Sequence, residues 1–87
     1  MSGEIHSTLA PEWREHWRKL DPVHRKAARA AYLRWRSDAD YRRKTAKEFA
    51  TRHHGRIYRV GLGDGYRAAA HRDGNTYEWF FIGTHAE

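Results

Sequence analysis

Apolar positions recur at helical spacing in the first half of the chain and at strand spacing in the second. Leu9, Trp13, Trp17 and Leu20 follow at steps of four, four and three, which makes one stripe of a helix. Pro11 suits the first turn of that helix, and Glu12 beside it favours the N-terminal end of the helix dipole. Asp21-Pro22 ends this helix and starts the next, with Asp21 as N-cap and Pro22 at the first helical position. Ala27, Ala28, Ala31, Tyr32 and Trp35 then form a buried face, with Arg25, Arg29 and Arg36 on the wet side, so the two helices make an αα-hairpin. Residues 4–8 offer a weak strand before it. Residues 41–50 are expected to continue as helix, and Arg52-His53-His54-Gly55 as a loop.

From Arg56 the period changes to two. Ile57, Tyr58, Val60 and Leu62 predict a strand, and Gly61, Gly63 and Gly65 the turn after it. Residues 66–72 predict a second strand, Asp73-Gly74-Asn75 a hairpin turn, and residues 76–82 a third strand rich in aromatics. Helices packed on an antiparallel meander give an α+β architecture.

Length limits what such a fold can hold. A chain of 87 residues buries only about 60–65% of its unfolded surface, which leaves no room for a second domain or a deep substrate cavity. Four Trp, five Tyr and three Phe still supply a core. No apolar run approaches the roughly 20 residues of a membrane span, and no signal peptide opens the sequence. With no cysteine there is no disulfide framework and no thiolate chemistry, and a cytoplasmic location is expected.

Charge is distributed unevenly. Residues 14–59 hold 15 of the 17 Lys and Arg but only five of the 11 acids, a regional net charge of +10 within a chain of +6. Such a surface points to a polyanion or an acidic protein as partner.

Several chemical motifs fall away on inspection. Gly61-Leu62-Gly63-Asp64-Gly65 looks like a phosphate cradle, but a strand follows it where a helix N-terminus is needed, so the glycines are turn residues. The seven His lack helical metal-binding spacing, and His6, His16 and His24 fall on expected surface positions. None of Ser2, Ser7 and Ser37 stands in a nucleophile elbow. What remains is a set of Arg and His on the meander. Alternation places Ile57, Arg59 and Gly61 on one face of the first strand, and Arg67, Ala69 and His71 on one face of the second. If the register allows, Arg59, Arg67 and His71 converge on one anion. Two Arg and a nearby His, such as His85 behind Gly83-Thr84, suit metal-free phosphodiester cleavage: the cations stabilise the phosphorane and the imidazole moves protons.

Residues 56–87 carry a family resemblance. Tyr58-Arg59-Val60-Gly61, Gly65-Tyr66-Arg67-Ala68 and Trp79-Phe80-Phe81-Ile82-Gly83-Thr84-His85-Ala86 resemble, in order, the motifs of RelE-like members of the RelE/ParE toxin superfamily. Trp17-Arg18-Lys19-Leu20 and Arg29-Ala30-Ala31-Tyr32 are similar to its helical half. The resemblance implies a β-α-α-β-β-β fold, a helix hairpin on a three- to four-stranded antiparallel sheet. It implies the toxin of a type II toxin–antitoxin pair, a metal- and cofactor-independent endoribonuclease that cleaves mRNA in the ribosomal A site. Its expected partners are a cognate antitoxin, mRNA and the ribosome. Carried over, Arg67, Arg59 and His85 are catalytic; beside these carried-over positions, Arg52, His53, His54, Arg56 and His71 are expected to contact RNA.

The sequence also departs from its relatives. They carry His-Pro-Ser-Leu-His-Phe-Lys before the meander, where this sequence keeps Phe49 at the aromatic and has Ala50 in place of the Lys. Relatives continue past His-Ala-Glu into a short tail with an aromatic that could stack on a base, whereas this sequence ends at Glu87. Two alternatives stay open: ParE-type members inhibit DNA gyrase, and a degenerate toxin fold would bind without catalysis.

Overall fold

The computed structural model describes residues 4–53 and 55–84. Its elements run β1 (His6–Leu9), α1 (Trp13–Arg18), α2 (Pro22–Ser37), α3 (Ala39–Thr45), β2 (Ala46–Thr51), β3 (Gly55–Gly63), β4 (Tyr66–Asp73) and β5 (Thr76–Thr84). The strands form one five-stranded sheet in the order β1-β5-β4-β3-β2, antiparallel throughout except for the parallel pair of β1 with β5. The architecture is therefore α+β, with one strand more than expected. Among the described residues no helix is long and apolar enough to cross a membrane.

The helix hairpin forms where its punctuation falls. Asp21 accepts the backbone N–H of His24 at 2.8 Å, as an N-cap does, and Pro22 opens α2. Arg25 is not a free surface cation. It donates to the carbonyls of Trp17 at 3.3 Å and Arg18 at 3.1 Å, so it closes the C-terminal end of α1. On α2, Ala28 and Trp35 are buried and Ala31 and Tyr32 half-buried, but Ala27 is exposed, one position outside the stripe. Leu9 likewise lies in β1, 62% exposed, rather than in the helical stripe.

The expected helix over 41–50 stops at Thr45. Asp38 caps α3 through the backbone N–H groups of Asp40 and Tyr41, and from Ala46 the chain pairs with β3 along its whole length, Ala46 opposite Val60 through to Thr51 opposite Gly55. Ala, Lys and Glu favour helix locally, but a full ladder of hydrogen bonds to β3 overrides that preference.

One face of the sheet packs on the helices. Tyr58, Val60, Ala68, Ala70, Tyr77, Trp79 and Ile82 meet Leu20, Ala28 and Trp35 there. Trp35 is 1% exposed and stands edge-on to Tyr58, Tyr77 and Trp79, with centroids 4.9–5.9 Å apart. Beside this core, an open groove of about 1020 Å³ runs between the helices and the sheet, lined by Leu9, Trp13, Trp17, Tyr32 and Leu33, among others. It is larger than the length of the chain led us to expect.

Candidate functional site

Alternation along β2, β3 and β4 assigns a second set of side chains to the sheet face away from that core. Tyr58 and Val60 point into the core, so Ile57, Arg59 and Gly61 face the other way, as do Arg67, Ala69 and His71 against Ala68 and Ala70. The register aligns these residues across the sheet. Lys47 stands opposite Arg59, Arg59 opposite Ala69, and Gly61 opposite Arg67.

A hollow of about 240 Å³ opens on this face, lined by Thr45, Lys47, Arg59, Gly61, Gly65, Tyr66 and Arg67. It exists because Gly61 has no side chain there. A Cβ at Gly61 would find its nearest neighbour, the Thr45 carbonyl oxygen, at 3.9 Å. The β3–β4 turn shapes the rim. Gly63, Asp64 and Gly65 all have positive φ, between +55° and +88°, which agrees with a turn role for Gly63 and Gly65, whereas Gly61, expected in the turn, lies within β3 opposite Arg67. Among the described residues three cations and no acid line the hollow, so an anion is the ligand its charge selects.

Arg59 is held against an aromatic ring. The guanidinium of Arg59, half-buried, lies 5.5 Å from the ring centroid of Phe49. Tyr66 is fixed from behind: its ring stacks on His24 with centroids 4.0 Å apart, and His24 Nδ1 lies 2.8 Å from Asp21 Oδ1. The Asp21 carboxyl is held below its ordinary value of 3.8, chiefly by the His24 backbone N–H and then by the His24 ring. His24 is thus no solvated surface residue. Nor is His16, which is half-buried with its ring 4.8 Å from that of Phe81.

The other expected site residues lie elsewhere. His71 shares the face but is outside the hollow, four residues along β4 from Arg67, and its ring stacks on Phe80 with centroids 4.6 Å apart. A bulge in β5 between the partners of Ala69 and Ala70 accommodates Phe80. Arg52 and His53 occupy the β2–β3 turn, and Arg56 is the second residue of β3, all at the far end of the hairpin from the hollow. Arg56 alternates with Arg59, so it is on the opposite face. The expected convergence therefore covers Arg59 and Arg67 and not His71. His54 and His85 lie outside the described residues.

Sequence reasoning missed Lys47 and Tyr66. Lys47 was hidden by the helix expected over 41–50; read as a strand, the stretch puts Lys47 and Phe49 on the same face as Arg59.

No protein-family model matches the sequence, and no curated protein is significantly similar to it. Solved structures do match. The archaeal RelE–RelB complex from Pyrococcus horikoshii contains a chain that superposes with a TM-score of 0.67 at 12% identity, over 93% of this chain and 94% of that one. The RelBE2 toxin–antitoxin complex from Mycobacterium tuberculosis gives 0.63 at 17% identity, over 93% and 98%. The fold is RelE-like. At these identities the likeness concerns the path of the backbone. Within the RelE-like fold, the cationic hollow is built by this chain's own Lys47, Arg59, Gly61 and Arg67.

Proposed function

We propose that this chain is the toxin of a type II toxin–antitoxin pair and an endoribonuclease that cleaves mRNA on the ribosome in the cytoplasm. The observation that carries the reading is the pair of arginines, Arg59 and Arg67, brought by register to one hollow beside Lys47. A phosphate seated there meets three cations. When the 2′-oxygen of the preceding ribose attacks phosphorus, negative charge accumulates on the phosphoryl oxygens, and guanidinium donors stabilise that charge more than the ground state. The P–O5′ bond then breaks, leaving a 2′,3′-cyclic phosphate and a 5′-hydroxyl. The 2′-hydroxyl loses a proton and the leaving oxygen gains one. His85 is assigned that proton traffic on sequence grounds, since an imidazole titrates near cellular pH. His71, Arg52, His53 and His54 are assigned to the flanking RNA, outside the reacting centre, and Arg56, on the opposite face, is left out of the RNA contact.

The antitoxin is the second partner of this reading. Both matched structures are toxin–antitoxin complexes, and the apolar groove with Arg14 and Arg29 in its lining suits an amphipathic acidic segment.

Induced expression followed by primer extension on a translated reporter tests the reading. Cuts within translated codons, lost in Arg67→Ala, are the expected result. Growth arrest with intact mRNA and an SOS response would replace the ribonuclease with a gyrase inhibitor.

A further inference from the structure

Four large hydrophobic side chains are more than a third exposed among the described residues: Leu9, Val23, Leu33 and Phe49. Leu9 and Leu33 line the apolar groove and have apolar neighbours. Phe49 is different. It is the one aromatic of the four, 39% exposed, and it sits on the cationic face of the sheet. Ile57, 5% exposed, stands directly opposite it on β3. Lys47 is two residues away on the same face, about 6.8 Å along the strand, and the Arg59 guanidinium covers part of the ring.

We propose that Phe49 is a stacking platform for a nucleobase of single-stranded RNA whose phosphate lies on Arg59 and Arg67. This rests on the RNA-cleaving reading above and adds to it the site that holds the base.

The chemistry favours RNA over a protein at this ring. A docking protein segment gains by burying contiguous apolar surface, and here the ring has cations beside it instead. Single-stranded nucleic acid needs that combination: cations that follow the backbone and an exposed ring on which a base lies flat. Arg59 links the two contacts. A guanidinium that meets a ring through its face keeps its in-plane N–H donors for a phosphate. The base on Phe49 and the phosphate in the hollow are then one row of the sheet apart. Stacking on a phenyl ring accepts any base, so the site sets where the chain lies and not which sequence is read.

The test uses the full chain and two short RNA oligomers, one carrying 2-aminopurine and one abasic at the same position, with binding and emission measured at low salt. The wild type is expected to quench 2-aminopurine on binding. Phe49→Ala should weaken binding of the base-containing oligomer about tenfold or more, abolish the quenching and leave the abasic oligomer unaffected. Phe49→Trp should restore both signals, and Phe49→Leu should not. Melting curves confirm that each variant is folded. If the wild type binds both oligomers in a salt-sensitive way and Phe49→Ala binds them equally well, the platform is overturned while the RNA reading stands. Full rescue by Phe49→Leu also overturns it, since simple apolar contact would then suffice. Failure of the wild type to bind either oligomer overturns the platform, whereas the RNA-cleaving reading falls only if primer extension finds translated mRNA intact.

Discussion

Gly61 stands directly opposite Arg67 in the β3–β4 ladder, and the space its missing side chain leaves is the floor of the cationic hollow. Its φ is not in the left-handed region, and a Cβ there meets nothing closer than 3.9 Å. Gly61→Ala should therefore fold normally, and the lost glycine entropy should raise its stability by up to about 1 kcal/mol. Gly61→Leu should also fold but fill the hollow. We expect mRNA cleavage and RNA affinity to fall at least about tenfold in Gly61→Leu, while Gly61→Ala stays near wild type. Melting temperature and primer extension on the same preparations separate the two effects.

Arg67→Ala should slow cleavage about 10²–10³-fold, the range seen when one preorganised donor to a developing oxyanion is removed. Arg67→Lys keeps the charge and loses the planar fork, so it should recover only part of the rate. A Lys variant as active as wild type would show that Arg67 acts as a point charge alone. Single-turnover cleavage of a programmed ribosome measures all three.

The meander and helix hairpin were legible because each residue there agrees with its neighbours. Asp21-Pro22 caps a helix, Tyr58, Val60 and Leu62 alternate, and the Gly63–Gly65 turn adopts the positive φ that its glycines permit. The stretch Ala46–Thr51 was not legible. Its even positions are Ala46, Glu48 and Ala50 and its odd ones Lys47, Phe49 and Thr51, so neither face is apolar and no period of two stands out. Only pairing with β3 makes it a strand, and that is a non-local fact. The cost fell on the site, since Lys47 and the orientation of Phe49 depend on this strand. The convergence of Arg59 and Arg67 was half legible: alternation gave each its face, but only the register brought both to one hollow.

Trp35 donates its indole N–H to the Tyr58 hydroxyl at 2.9 Å inside the core. Tyr58→Phe leaves that donor buried without an acceptor and should cost about 1–3 kcal/mol, or roughly 4–8 °C of melting temperature per kcal/mol in a domain this size. Burial, above all, raises the Tyr58 phenol above its ordinary 10.0. Because the folded state favours the neutral phenol, its contribution is complete below pH 10 and declines as pH rises past that value. Alkaline melting curves should therefore show the wild type losing part of its advantage over Tyr58→Phe above about pH 10.

Salt dependence tests the hollow without relying on catalysis. Each cation that neutralises a phosphate releases condensed counterions, so the logarithm of affinity falls with the logarithm of salt by about 0.7 per contact on a single strand. Lys47, Arg59 and Arg67 line the hollow together. Replacing any one of them by Gln should reduce the slope by about 0.7, and replacing Lys19, exposed at the end of α1 on the helical side of the fold, should not. Because Lys47 meets Arg59 across the β2–β3 ladder, Lys47→Gln also removes a like-charge neighbour and should leave the melting temperature unchanged or raised. A slope that responds to Lys19 as much as to Lys47 would mean that RNA follows the general charge of the chain. A response confined to the three residues of the hollow places the phosphate there.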